Sequence, residues 1–356
     1  MNLSSRIEAF ENLGFAIETS LKNIEKGKYS AKDSYNVDVE HYLVQATLEN
    51  SWFIPLFVKT ALSQIVQILH RNTLIAWLSE YDPDLLNREA PKTVSIIMAG
   101  NLPLVGFHDL IAVLISGHRA QVKLSQKDSQ LPRMVIELLI AIEPRFAKYI
   151  EPVDEKVVGF DAVIATGSNN TRRYFEYYFK NVPSIIRGHK NSPAIIMGNE
   201  SESRFKALAD DLFLYFGMGC RSVSKMYLPF GFSPEKLFPY FENYHSILYQ
   251  HHKYMNNYLY QKSIMMVNKT PFLDNGFMMM TKNEQIASPI SVIHYQYYSS
   301  MTGLIEEIKQ NETTVQCVVT DNDFIANSVK FGESQKPTLL DYADGIDVID
   351  FLLSLK

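Results

Sequence analysis

Between residues 94 and 197 the sequence repeats one alternation, and that alternation restricts the possible folds more than any other feature. Val94-Ser95-Ile96-Ile97-Met98 is a short β-branched run followed by a loop at 99–104 and a helix-like segment at 106–116. Gly117 ends that segment, and a second run follows, Ala120-Gln121-Val122-Lys123-Leu124. A helical pattern at 131–142 leads to Ala162-Val163-Ile164-Ala165 and the turn Thr166-Gly167-Ser168. A further helix at 170–179 precedes strand-like runs at 184–186 and 194–197. Short apolar strands separated by helix-length segments predict a parallel sheet with crossover helices, because parallel neighbours cannot be joined by a tight turn. In such sheets chemistry gathers at the carboxyl ends of the strands, where Asn101, Lys123, Gly167 and Ser168 fall.

The flanks read differently. Residues 1–90 are mostly helical by pattern, with amphipathic spacing at 44–54 and a long apolar stripe through 57–78. After about residue 198 a second α/β segment begins, with a helix at 202–215 and a strand at 225–229. The tail at 341–347 reads as a turn before a short closing helix. A chain of 356 residues exceeds the usual single-core size, so two domains or one large one are expected.

Cys220 is the chemically sharpest residue. It sits in Phe216-Gly217-Met218-Gly219-Cys220-Arg221-Ser222, between a helical and a strand-like segment. Gly217 and Gly219 permit positive φ and leave the sulfur without bulky neighbours, while Arg221 and Lys225 would favour the thiolate. The functional reading is a nucleophile; the bland one is a small buried hydrophobe.

Composition excludes several classes. A net charge of −5 argues against phosphate neutralisation on nucleic acid. Two cysteines provide no disulfide framework and fit a reducing compartment. The first residues lack the apolar segment of a signal peptide, and no apolar run approaches the length of a membrane span. The expected location is the cytoplasm. The nine histidines show no ligand spacing, so no metal is expected. Met278-Met279-Met280 and the aromatic-rich stretch 240–260 read as ordinary core, with an acyl tunnel as the alternative. His251-His252-Lys253 reads as solvated helix and Cys317 as core.

Together these motifs resemble the aldehyde dehydrogenase superfamily, and within it the long-chain acyl-CoA reductases of bacterial bioluminescence. Asn101-Leu102-Pro103-Leu104 is similar to the superfamily's Asn-Phe-Pro-Leu, and Val122-Lys123-Leu124-Ser125 to its Val-x-Lys-Pro-Ser region. Thr166-Gly167-Ser168 resembles its Thr-Gly-Ser turn, Gly217-Met218-Gly219-Cys220 its Gly-Gln-x-Cys, and Ser288-Pro289-Ile290 its Gly-Pro-Val. Phe331-Gly332-Glu333-Ser334-Gln335 and Asp341-Tyr342-Ala343-Asp344-Gly345-Ile346-Asp347 resemble the acyl-CoA reductase branch in particular. The resemblance implies an α/β, aldehyde dehydrogenase-like fold. Its expected parts are a helical region and nicotinamide-cofactor domain at 1–197, a catalytic domain at 198–330 and a C-terminal segment at 331–356.

By resemblance, Cys220 forms a thioacyl-enzyme, and the Asn101 amide with the Cys220 backbone N–H holds the oxyanion. Asn101 could equally be a loop cap before Leu-Pro. Lys123, Ser125, Gln126, Gly167, Ser168 and Gln285 are the implied cofactor-binding positions. Gln126 stands where many NAD enzymes of the family carry a Glu gripping the ribose 2′-hydroxyl. An amide does not repel a 2′-phosphate, and Lys127, Arg172 and Arg173 add charge, so NADPH is expected, unless these are solvated surface charges.

Three departures bear on the reaction. The catalytic Glu of classical aldehyde dehydrogenases aligns with Arg187, so no base is implied for hydrolysis of a thioester. His189 is a candidate acid or base, or a structural histidine. Gln285 replaces a ribose-binding Glu, and Arg172 a glycine after the Thr-Gly-Ser turn. The expected function is NADPH-dependent reduction of a fatty acyl thioester, from acyl-CoA or acyl-protein, to an aldehyde. The alternatives are a thiol-dependent acyltransferase using Cys220 and a non-catalytic scaffold. A homo-oligomer or a partner acyl-transfer protein is the expected assembly.

Overall fold

The alternation in the sequence becomes a five-stranded, fully parallel sheet in the order β3-β2-β1-β4-β5. Its strands are β1 (Thr93–Ile97), β2 (Arg119–Lys123), β3 (Ile150–Val153), β4 (Ala162–Thr166) and β5 (Ser184–Arg187). The computed structural model describes residues 1–26, 35–87, 90–322, 325 and 328–355. Strand β3 carries a proline and only one fully buried residue, so periodicity did not reveal it. The order reverses between β1 and β4, the switch point at which loops diverge and open a crevice. The loop holding Asn101 leaves β1 and the Gly167-Ser168 turn leaves β4, so both border that point.

The chain divides into two units, residues 1–188 with 338–356, and residues 189–337. In the first, the helix Phe107–Ile115 is buried on nearly every residue, which explains its almost wholly apolar sequence. Each fully buried Leu or Ile there contributes about 1.5–3 kcal/mol. The C-terminal helix Val348–Ser354 packs against it. Buried His118 bridges the two segments: its Nε2 is 3.0 Å from the Leu352 carbonyl, and its Nδ1 accepts from the Lys92 N–H at 3.1 Å. The turn at 341–347 is tied down as well. Trp77 Nε1 donates to the Tyr342 hydroxyl at 2.6 Å, and the Tyr81 hydroxyl donates to Asp347 at 2.7 Å.

The second unit has its own five-stranded sheet, β6-β7-β10-β9-β8. Its strands are β6 (Ser192–Ile195), β7 (Val223–Pro229), β8 (Leu273–Asp274), β9 (Met279–Lys282) and β10 (Val292–Tyr298). All pairings are parallel except β8 with β9. The sequence reading left the strand at 194–197 in the first domain, with a boundary near 198. Instead β6 pairs with β7, and Asn191 and Ala194 bridge to Val315 and Val319, which draws the strand into the second unit. Residues 331–337 likewise belong to the second unit and not to the terminal segment.

Candidate active site

The helix Glu202–Phe213 ends in an unusual turn. Tyr215, Phe216 and Gly217 occupy the left-handed region in succession, at φ of 54°, 57° and 70°. A non-glycine residue there costs about 1–2 kcal/mol. Burial of the Phe216 ring, 4.1 Å from the His251 ring and 5.8 Å from that of Tyr254, offsets part of that cost. At Gly217 a Cβ would lie 2.9 Å from the Leu212 carbonyl oxygen, so glycine is required. Gly219 does not share the positive φ expected of it; its N–H donates to Ser222 Oγ at 3.1 Å.

This turn presents Cys220, which is half-buried, while Ser192 Oγ donates to its carbonyl at 2.9 Å. The sulfur lies 3.8 Å from Nδ1 of exposed His189. That is a loose hydrogen-bond distance, of the kind that tightens when substrate arrives. The two cations expected to favour the thiolate point elsewhere. Arg221 Nε donates to the Ser334 carbonyl at 2.6 Å. Lys225 is fully buried in β7, with Nζ 2.6 Å from both the Glu284 carbonyl and Gln296 Oε1. Desolvation lowers its pKa, partly opposed by Glu307 and Glu284.

The run Phe331-Gly332-Glu333-Ser334-Gln335 braces the turn that carries Cys220. Asp211 accepts from the Gly332 N–H at 2.6 Å and the Ser334 N–H at 2.9 Å. Its burial pushes the carboxyl pKa up to about 6 despite those bonds. Gln335 Nε2 donates to Ser222 Oγ at 3.1 Å. A cavity of about 220 Å³ opens in this same unit. His189, Gly219 and Ser222 line it, and Leu212, Met278 and Tyr254 form part of its wall.

The remaining predicted site residues, apart from Gln285, lie in the first unit. Asn101 is exposed in a loop whose backbone is held on both sides. The Leu104 N–H, at positive φ, donates to Asp128 Oδ2 at 2.7 Å, and Asn50 Nδ2 donates to the Gly100 and Lys127 carbonyls at 3.3 and 3.1 Å. A Cβ on Gly100 would meet Ser125 Oγ at 2.4 Å. Burial raises the Asp128 carboxyl pKa to about 8, against the Leu104 N–H and with a smaller push from Glu49. Sequence reasoning missed Asp128, Asn50 and Asp211, whose partners lie far away in the sequence and leave no local signal.

Lys123, at the end of β2, donates from Nζ to the Glu155 carbonyl. Gln126 is exposed beside Lys127. Ser168 caps the helix Asn169–Tyr178, accepting from the Thr171 N–H at 3.2 Å. A Cβ on Gly167 would press on Thr171 at 3.0 Å and Phe175 at 3.3 Å, so the glycine permits close packing of strand and helix. An exposed helix N-terminus beside this glycine, at the switch point, suits a dinucleotide's phosphates. Arg172 is turned along its own helix to Glu176, at 2.7 Å, which removes much of the charge expected there. Gln285 is exposed in the second unit; its carbonyl lies 2.9 Å from His294 Nδ1.

An acyl-CoA reductase (LuxC) family model matches residues 16–231, more than half of the chain. The chain belongs to the acyl-CoA reductase family. It is therefore an oxidoreductase enzyme, and its fold is that of the aldehyde dehydrogenases. No curated protein matches it. Among solved structures it is similar to AldH from Staphylococcus aureus in a substrate-bound state, at 17% identity, covering 90% of this chain and 76% of that one, with a TM-score of 0.54. The putative aldehyde dehydrogenase PutA from Anabaena variabilis matches at 12% identity over 100% and 87% of the two chains, with a TM-score of 0.63. The NAD+ complex of a Bacillus cereus aldehyde dehydrogenase matches at 14% identity over 91% and 73%, with a TM-score of 0.58. Identities this low establish the fold alone.

For this acyl-CoA reductase family member, two discounted residues also need correction. His251 is not part of a solvated helix: its Nδ1 accepts from the Tyr254 N–H at 3.1 Å and caps the helix His252–Val267, with its ring against Phe216. Cys317 is half-buried outside any strand, 3.3 Å from Ser192 Oγ. Among the described residues no helix is long and apolar enough to cross a membrane, and no cluster of side chains could hold a metal ion.

Proposed function

We propose that the protein reduces a fatty acyl thioester to an aldehyde with NADPH, through an acyl group carried on Cys220. The observation that carries this reading is the Cys220–His189 pair, 3.8 Å apart beside a cavity and presented by a left-handed turn. The Cys220 thiolate adds to the thioester carbonyl, and the donor's thiolate leaves. By the family resemblance, the Asn101 amide and the Cys220 N–H would be the oxyanion donors. The reduced nicotinamide, when bound, supplies the hydride. His189 supplies the proton to the oxygen and takes it back as the resulting thiohemiacetal collapses, which returns the Cys220 thiolate with release of aldehyde.

Lys123, Ser125, Gln126, Gly167, Ser168 and Gln285 are the residues that would hold the cofactor. The exposed Gln126 amide beside Lys127 supports NADPH over NADH, since no carboxylate stands there to repel a 2′-phosphate. Arg187 supports reduction over hydrolysis. The position of the hydrolytic Glu is filled by a guanidinium held by Asp109, which cannot activate water. The test follows NADPH consumption with acyl-CoA donors for the parent and Cys220→Ala. Aldehyde formation that requires Cys220 is expected; Cys220-independent turnover, or acyl transfer without NADPH consumption, would refute the reading.

A further inference from the structure

We propose that Asn50 and Asp128 are positioning residues. They fasten the loop that carries Asn101 to the loop that carries Ser125, Gln126 and Lys127, so that one clamp sets both the oxyanion donor and the cofactor's ribose contact. This rests on the thioester-reductase reading, which gives Asn101 and Gln126 those roles, and it names the residues that fix them.

The two loops leave the neighbouring strands β1 and β2 and stay in contact beyond the strand ends. The Met98 N–H donates to the Lys123 carbonyl at 3.0 Å, and Gly100 lies so close to Ser125 that a Cβ would collide with its Oγ. Ser125 in turn organises its own loop. Its Oγ accepts from the Lys127 N–H at 3.2 Å, and its carbonyl accepts from the Asp128 N–H at 3.1 Å.

Asn50 ends the helix Val39–Glu49 and reaches this junction from the helical N-terminal region. It is 7% exposed, and its Nδ2 donates to the carbonyls of Gly100, one residue before Asn101, and Lys127, one residue after Gln126. Its Oδ1 accepts from the Trp52 N–H at 3.1 Å, which fixes the orientation of the amide. Only an amide side chain places two donors on one nitrogen with an acceptor beside it, and here each donor serves a different loop.

Asp128 secures the other end of the Asn101 loop. Its Oδ2 accepts from the N–H of Leu104, whose φ of 57° is costly for a residue with a side chain and persists only where the surroundings impose it. The carboxyl is 2% exposed, and its Oδ1 has no hydrogen-bond partner among the described residues. Burying a carboxyl with so little compensation lowers stability, and an apolar residue would fill the space at less cost. What an apolar residue could not supply is an acceptor for the strained residue three positions after Asn101. Strain of this kind collects at functional sites.

The experiment compares the full-length parent, Asn50→Ala, Asp128→Ala and Asp128→Asn in two separate assays. One is single-turnover acylation of Cys220 by tetradecanoyl-CoA; the other is NADPH affinity by fluorescence titration. Asn50→Ala should lower both the acylation rate and the affinity about tenfold, since it releases both loops. Asp128→Ala should slow acylation about tenfold and keep NADPH affinity within about twofold, because the bond it loses lies on the Asn101 loop. Asp128→Asn, which keeps the acceptor, should acylate at the parent rate. A general loss of packing would lower the Tm of the variants without this split or this rescue. The proposal is overturned if Asn50→Ala changes only one of the two quantities or neither, or if Asp128→Asn acylates no faster than Asp128→Ala. Should Asn50→Ala fail to fold, the Asp128 pair decides alone. If the parent takes up no acyl group or binds no NADPH, the reductase reading fails separately, and amide exchange at Leu104 then decides the clamp. Faster exchange in Asn50→Ala and Asp128→Ala, with parent-like exchange in Asp128→Asn, keeps it; parent-like exchange in Asn50→Ala rejects it.

Discussion

A single nitrogen of Arg187, Nη1, donates to both carboxylate oxygens of Asp109, at 2.8 and 2.7 Å, with each side chain only 6% exposed. The pair pins the end of β5 to the helix Phe107–Ile115. Removing one partner strands a buried charge, so Asp109→Ala should cost about 3–5 kcal/mol in chemical denaturation. The double variant Asp109→Leu with Arg187→Met should recover much of that loss. A double variant no more stable than the single would show that the ion pair itself is what the fold needs.

Asp128 makes stability depend on pH. An unfolded aspartate ionises near 4, whereas the folded carboxyl titrates at about 8, chiefly because it is buried. The folded state therefore holds the proton longer. The contribution is full below about pH 4 and is lost as pH rises through 8, at no more than about 1.4 kcal/mol per pH unit. Melting between pH 6 and 9 should show this decline, and Asp128→Asn, which keeps an acceptor for the Leu104 N–H, should flatten it. Equal slopes for the two proteins would reject the assignment.

Gly217→Ala places a Cβ against the Leu212 carbonyl at positive φ. Destabilisation of about 1–2 kcal/mol is expected. Because the strain lies three residues before Cys220, alkylation of that thiol should also slow. Loss of stability with unchanged alkylation would separate the turn from the thiol.

His189→Gln should reduce the alkylation rate of Cys220 near neutral pH by about tenfold or more. It should leave melting nearly unchanged, since the imidazole is exposed. An unaffected rate would remove His189 from the chemistry.

At Gly332, φ is 82° and a Cβ would meet that of Ala207 at 2.9 Å. Gly332→Ala should therefore loosen the brace through Asp211. The readout is faster amide exchange at Ser334, whose N–H that carboxylate holds.

The parallel sheet was legible because β1, β2 and β4 bury their central residues and alternate with helix-length segments, a pattern that marks parallel strands. The membership of β6 was not. Its Ser-Pro-Ala-Ile pattern is compatible with either sheet, and pairing with Val223–Tyr227 is a non-local fact. Cys220, Asn101 and Gly167 stood out because glycine- and proline-bearing turns leave local signatures. Asp128 and Asp211 did not, since each acts through backbone N–H groups brought from distant sequence.

Residues 338–356 return to the first unit, where Leu352 meets His118 and Tyr342 meets Trp77. The order of synthesis is thus the reverse of the order in which the units can close. Residues 189–337 emerge as one uninterrupted stretch and can fold on the ribosome, whereas the earlier unit must wait for the final helix. Until then the apolar face of the helix Phe107–Ile115 lacks its last cover, so a stalled or clipped chain would expose a sticky surface to chaperones while the unit carrying Cys220 was already formed.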